Sequence, residues 1–205
     1  MYIPASMKMA DIQAAQDFIT EFSFGILVTA SLTGSHLPFL LHREEGEMGT
    51  LYSHFARANS HWKEIAGQEA VVIFSGPHAY ISPSWYEAVP AVPTWNYAAV
   101  HAYGAVSLLD DAGTLAVVEE SVATYEPSLL TQRDIVTEAV RDKLLPAVVG
   151  FKLELTRLEG KQKLGQHRGS GDQTGVYEAL SHSSRLDSLA LAQYMDKVNL
   201  GKGAT

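Results

Sequence analysis

GSHLPFLLHREEGEMGTLYSHF, residues 34–55, sets two stretches rich in apolar residues on either side of a polar turn, Glu44 to Gly49. Short runs of Leu, Phe, Tyr and Thr bounded by glycine and charge read as the two strands of a hairpin, not as a helix. Pro38 has no N–H to give to a ladder, so its strand belongs at a sheet edge or at a bulge. The stretches to either side supply further strands.

Upstream, FGILVTASL (24–32) is a short apolar, partly β-branched run, preceded over Met9–Glu21 by Ile12, Ala15, Phe18 and Ile19 at helical spacing, with Phe22 just beyond. That pattern predicts an amphipathic helix packed on a sheet edge. Downstream, HWKEIAG predicts a short helix stopped at Gly67, and EAVVIFSGP a buried strand followed by the extended piece HAYISPSWY. AVPAVPTWNYAAVHAYGAVSLLDD opens as a proline loop and becomes a long strand to about Leu109. Asp110 or Asp111 then caps a helix through Tyr125, and another helix is expected over Arg133–Lys143. VVGFKLELTRLEGK alternates apolar and polar residues as a half-buried antiparallel strand does. GQHRGSGDQTG predicts a flexible loop, residues 175–199 predict two helices, and GKGAT is expected to fray.

Six or seven strands joined mostly by short turns, with few helices, predict a mainly antiparallel α+β fold. Its sheet should form a closed or partly closed barrel with peripheral helices. A length of 205 residues suits a single domain, 1–205, with a C-terminal helical segment from about 172 to 199. No apolar run approaches the roughly 18 residues of a membrane span, and the N-terminus lacks the layout of a signal peptide. The absence of cysteine excludes disulfides and thiolate chemistry, and fits the cytoplasm. A formal net charge of −8 argues against a broad footprint on DNA, which needs a basic face.

Three clusters could carry chemistry. LYSHFARANSHW (51–62) gathers Ser53, His54, Arg57 and Asn59 where a strand ends and a helix begins, a place suited to an anion. The plainer alternative is a capped helix with Arg57 on a surface carboxylate. In VPTWNYAAVHAYG, Trp95 and Tyr97 share one strand face and Asn96 takes the other, so an aromatic and an amide could meet a heterocycle; equally, Trp95 could fill a barrel rim. KQKLGQHRG brings Lys163, Gln166 and Arg168 into a solvated loop or a cationic arm. The eight histidines show no metal-ligand spacing, and there is no GxGxxG after a strand, no P-loop, no HExxH and no GxSxG elbow.

The blocks MYIP (1–4), HFARANSHW (54–62), GPHAYISPSWY (76–86), VPTWNYAAVHAYG (92–104), KLGQHR (163–168) and GVYEAL (175–180) together resemble the PaiB-like family, described as FMN-binding negative transcriptional regulators. The resemblance runs in order over nearly the whole chain. It implies an FMN-binding split β-barrel, the fold of pyridoxamine-phosphate oxidases and flavin reductases, and a homodimer with FMN at the subunit interface. It implies backbone contacts to the flavin ring from Leu40 and Leu41, and phosphate and ribityl contacts from Ser53, His54, Arg57 and Asn59. Trp95 and Asn96 fall near the flavin edge. Lys163, Gln166 and Arg168 match a loop that usually reads KLSQNR, with Gly165 and His167 standing here for the usual Ser and Asn.

The function implied is a regulator acting through that interfacial flavin. The alternatives are an FMN-dependent oxidoreductase or flavin reductase, a haem-handling split-barrel enzyme, or a module that holds a ligand without turnover. No side chain identifies itself as catalytic; His101 and His167 are the candidates. With no helix-turn-helix recognisable and an acidic chain, direct operator binding is not expected.

Overall fold

The computed structural model describes residues 1–132, 134–135 and 137–203. Among these residues seven strands form one sheet: β1 (Phe24–Thr29), β2 (Gly34–Pro38), β3 (Leu40–His42), β4 (Thr50–Ala56), β5 (Glu69–Ile81), β6 (Thr94–Leu108) and β7 (Val148–Lys163). Their hydrogen-bonded order is β2-β1-β5-β6-β7-β4-β3.

The hairpin of residues 34–55 forms as expected, but its first strand is broken. Gly34–Pro38 pairs antiparallel with β1, as in Ile26 opposite His36. Leu40–His42 pairs antiparallel with β4, with Leu41 opposite Leu51. The two ends of the strand order are therefore successive pieces of one extended segment, separated by Phe39 alone. Pro38 stands at the break, as a residue without an N–H must. Its carbonyl accepts from Ser53 Oγ at 2.6 Å, and the Phe39 N–H is spent on the Ser23 carbonyl at 2.9 Å. The sheet thus has two ends, β2 and β3, and is not closed by a hydrogen-bonded seam, which rules out the fully closed barrel and leaves the split one.

Among the described residues six α-helices accompany the sheet: α1 (Ile12–Glu21), α2 (Trp62–Ile65), α3 (Asp111–Tyr125), α4 (Glu138–Leu144), α5 (Ser170–Ser181) and α6 (Leu186–Val198). Asp110 caps α3 by accepting from Gly113 N–H at 2.8 Å. The helix expected from Arg133 begins at Glu138; Arg133 and Val136 lie outside the described residues, as do Ala204 and Thr205 at the end expected to fray. β5 is a single strand through Pro77, where two pieces were expected. β1 pairs only with residues 70–73 of β5, so the proline lies beyond that partner and costs no ladder bond to it.

The loop expected over residues 165–175 is the larger departure, because α5 starts inside it at Ser170. Asp172 on its first turn is buried, accepts from Ala88 N–H at 2.9 Å and pairs with Arg168 at 3.6 Å. A Cβ on Gly175 would stand 2.2 Å from the Trp85 carbonyl oxygen. The glycine is there to let the helix approach, not to break it.

The chain divides into two compact units, each assembled from separate stretches of sequence. One, the hairpin unit, is Ile19–Phe74 with His101–Leu158. Its core is aromatic: Phe39 meets Phe74 edge-on at 5.5 Å and Phe151 at 6.2 Å, while Phe55 stacks on Phe151 at 4.9 Å. The other, the terminal unit, is Met1–Phe18 with Ser75–Val100 and Glu159–Thr205. Ile81, Leu164, Leu180, Leu191 and Met195 are buried in it. Phe18 lies edge-on to Tyr194 at 6.0 Å, and the Tyr194 hydroxyl accepts from Gln162 Nε2 at 2.6 Å. Among the described residues no helix is long and apolar enough to cross a membrane.

Candidate functional site

The cluster singled out in LYSHFARANSHW sits in the hairpin unit, at the end of the β4–β7 ladder. Ala56 is the last residue paired, opposite Val148, and Arg57 N–H then donates to the Ala147 carbonyl at 2.7 Å. The Arg57 side chain continues the same way: Nε donates to Pro146 at 2.5 Å and Nη2 to Val148 at 3.0 Å. The guanidinium therefore braces the returning chain with one edge, and among the described residues its Nη1 has no hydrogen-bond partner. Its carbon lies 5.6 Å from the Trp62 ring centroid, and the Trp62 indole N–H donates to the Arg57 carbonyl at 3.0 Å.

Lys63 places a second cation 5.9 Å from the same ring. Arg57 and Lys63 are both exposed, and among the described residues neither has a carboxylate within ion-pair distance. In a chain of net charge −8, that is a local cationic corner around one tryptophan. A cleft of 520 Å3 adjoins it, lined by Arg57, Asp111, Leu145 and Pro146.

The neighbours of Arg57 are committed differently. Ser53 is buried and spends its hydroxyl on Pro38. Asn59 donates to Ser35 Oγ at 3.0 Å and accepts from His61 N–H at 3.1 Å. The buried His61 ring lies between Ser35 Oγ, 2.8 Å from Nδ1, and Thr29 Oγ1, 3.1 Å from Nε2. Leu40 is buried, Leu41 and His54 half-buried, the last opposite Gly150 across β4 and β7. Sequence reasoning missed Trp62 and Lys63 as part of the corner, although both follow Arg57 within six residues and i, i+5 and i, i+6 spacing over a turn was the available signal.

Burial lowers the imidazoles of His54 and His61 below the ordinary histidine range, Glu64 opposing the shift at His61. With folded values below an unfolded value near 6.5, the unfolded chain binds protons first on acidification. The stability these rings contribute is full above about pH 6.5 and is lost as pH falls through their folded values. The thermal midpoint should therefore drop between pH 7 and pH 5.5, and drop less in a His54→Gln, His61→Gln double variant. An equal drop in both proteins would assign the effect elsewhere.

The remaining predicted residues belong to the terminal unit. Lys163 Nζ donates to Thr94 Oγ1 at 2.5 Å and to the Trp95 carbonyl at 2.8 Å, and burial lowers its ammonium below the usual lysine range. Gln166 fixes its own loop: Nε2 donates to Ser6 and Gln162 carbonyls, and Oε1 accepts from Leu164 N–H at 2.8 Å. Arg168 lies over the Tyr86 ring at 4.3 Å, besides its pair with Asp172. Asn96 is buried, whereas Trp95 beside it is 52% exposed, as opposite faces of one strand require. The hairpin unit thus holds Leu40, Leu41, Ser53, His54, Arg57 and Asn59, and the terminal unit holds Trp95, Asn96, Lys163, Gln166 and Arg168.

The donor chemistry fits an FMN phosphate, which carries roughly 1.5–2 negative charges near neutral pH. Arg57 and Lys63 are two cations of the hairpin unit that, among the described residues, have no carboxylate partner and could meet it. Nothing among the described residues groups three or more His, Asp or Glu in a way that could hold a metal ion.

Comparison with solved structures bears on the fold. A flavocytochrome, Anf3, from Azotobacter vinelandii superposes with a TM-score of 0.59 at 17% identity, over 78% of this chain and 70% of that one. An FAD- and heme-binding protein from Mycobacterium smegmatis gives 0.57 at 13% identity, over 78% and 74%. The fold is the split β-barrel. Residues 1–157 match the family described as “Putative FMN-binding domain”, and the chain belongs to it, with FMN as the cofactor. “Protease synthase and sporulation protein PAI 2” of Bacillus subtilis (strain 168) is 32% identical over 96% of this chain and 97% of its own length.

Proposed function

We propose that the protein is a flavin-responsive member of the PaiB-like regulators, holding FMN at the interface of a homodimer. The observation that carries this reading is the unpaired Arg57–Lys63 corner in an acidic chain of the FMN-binding family. Arg57 and Lys63 hold the phosphate, and the β3–β4 hairpin offers its backbone at Leu40 and Leu41 to the ring. His54 is neutral near pH 7 and acts as a hydrogen-bonding group for the ribityl chain, with no charge to add. Bound FMN supplies reversible redox chemistry that the surrounding dipoles tune.

Regulation then runs through the flavin's state or a small metabolite and not through operator contacts, since a net charge of −8 opposes phosphate binding along DNA. Purified protein titrated with FMN should bind one flavin per chain and sediment as a dimer. A variant held monomeric should lose most of the flavin. Retention of FMN by a sedimenting monomer would refute the shared site while leaving FMN binding intact.

A further inference from the structure

The terminal unit contains a second cleft, which the flavin reading does not use. It measures 380 Å3 and is lined by Tyr80 of β5, Trp85, Trp95 of β6, and Arg185, Asp187 and Ser188 at the start of α6. Its walls are aromatic: Tyr80 stands edge-on to Trp95 at 6.1 Å, and Trp95 leaves about half its surface, 52%, uncovered. Exposed indole and phenol faces at one place are costly in water and useful to a planar ligand.

Ser183 and His78 of this cleft are already engaged, Ser183 Oγ accepting from Arg185 N–H at 3.1 Å and His78 Nδ1 lying 3.2 Å from the Gly76 carbonyl, but the side chains at the start of α6 are not. Arg185 stands at the N-cap of a 13-residue helix and makes no side-chain cap, so the first N–H groups of α6 have no intrahelical or capping partner. Arg185 and Asp187, opposite in charge and two residues apart, do not pair with each other, and among the described residues neither has another ion-pair partner. Ser188 is 95% buried, since only 5% of it is exposed, yet its hydroxyl bonds to no described residue and lines the cleft. Among the described residues no fully buried side-chain oxygen lacks a hydrogen bond, so this hydroxyl is one that the cleft reaches. By contrast, the third tryptophan, Trp62, has its indole N–H taken by Arg57.

We infer that this cleft binds a planar aromatic monocarboxylate. The ring lies against Trp95 and Trp85, and the carboxylate meets Arg185, the α6 N–H groups and the Ser188 hydroxyl. Asp187 sets the charge limit. A single negative charge is held against it by Arg185 and the helix end, whereas the second charge of a phosphomonoester is repelled. The site therefore differs in chemistry from the Arg57–Lys63 corner, which has two cations against the one of this cleft and no aromatic pair facing its opening. This inference does not depend on FMN binding.

The three tryptophans give the test a direct readout, because each contributes one indole N–H signal to the nitrogen-15 spectrum of the full chain. Titration with benzoate should move the Trp85 and Trp95 signals and leave Trp62 in place. Benzyl alcohol (ring without charge) and acetate (charge without ring) should each bind at least tenfold more weakly, and phenyl phosphate more weakly than benzoate. Arg185→Ala and Ser188→Ala should each weaken benzoate at least threefold, and Asp187→Asn should restore phenyl phosphate. No movement with benzoate, equal movement at Trp62, or loss of the benzoate shifts on adding one equivalent of FMN would overturn the proposal. Because Arg185 is exposed and bonded to nothing in its side chain, its loss does not threaten the fold.

Discussion

Phe39→Ala is expected to lower the free energy of unfolding by about 3–5 kcal/mol, the cost of deleting a buried phenyl ring and leaving its cavity. Phe39 is 2% exposed and is the single residue between β2 and β3. Its ring meets Phe74 of β5 and Phe151 of β7, so it links strands that are not neighbours in the hydrogen-bonded order. The backbone there contributes the single bond from Phe39 N–H to the Ser23 carbonyl, because Phe39 lies outside both β2 and β3. Against a typical total of about 5–15 kcal/mol, the loss would take a third or more of the stability. Phe24→Ala provides the comparison: Phe24 is 63% exposed on β1, and its removal should change stability by about 0.5 kcal/mol or less. Urea unfolding of both variants measures the difference. A Phe39 effect below about 1.5 kcal/mol would mean that the broken strand is held by its flanking pairs and not by the ring.

The hairpin was legible because its two cues agree: apolar residues on both arms, and a turn of glycine and glutamate between them. Pro38 correctly announced an interruption. That Phe39 is buried at the interruption could not be read locally, since an apolar residue after proline fits an unbroken strand equally well. The α3 start was legible from Asp110, whose short acidic side chain has a defined task at a helix N-terminus. The α5 start was not. Gly171 and Gly175 signal a breaker when read by propensity, and here tertiary closeness overrides propensity: Trp85 leaves no room for a Cβ at Gly175. Such a reason exists only once distant residues are brought together.

The site divides along the same line. Arg57 stood out because a cation at the end of a strand is unusual in an acidic chain, and the structure gives it two carbonyls and Trp62 as neighbours. Lys63 looked like an ordinary exposed helix residue, and its place beside the same indole became visible only with the turn between them. Asn59 and Ser53 looked like ligand donors on composition. Their side chains instead bond to Ser35 and Pro38, which are 24 and 15 positions away. Polar type is readable from sequence; whether the group is already spent is a property of the fold.

Arg57→Ala is expected to weaken FMN binding by about 1.5–3 kcal/mol, roughly 10- to 150-fold, as for loss of a hydrogen bond to a charged group. The same change also removes the brace to Pro146 and Val148, so affinity has to be read beside stability. Arg57→Lys keeps a cation but cannot serve two carbonyls and a phosphate at once, and should recover only part of the binding. Lys63→Ala breaks no bond to another described residue. It should cost about 0.3–1 kcal/mol in affinity, the range of an exposed charge contact, and leave the unfolding midpoint unmoved. Both losses should shrink as salt is raised, because screening weakens exposed attractions first. Fluorescence titration with FMN at low and high salt separates the cases. If Arg57→Ala bound FMN as tightly as the parent protein, the phosphate would have to lie elsewhere. Lys163 and Arg168 in the terminal unit would then be the next cations to test, and Lys163 would be the weaker of the two. Its ammonium is already held by Thr94 and Trp95 and is easier to discharge than an ordinary lysine.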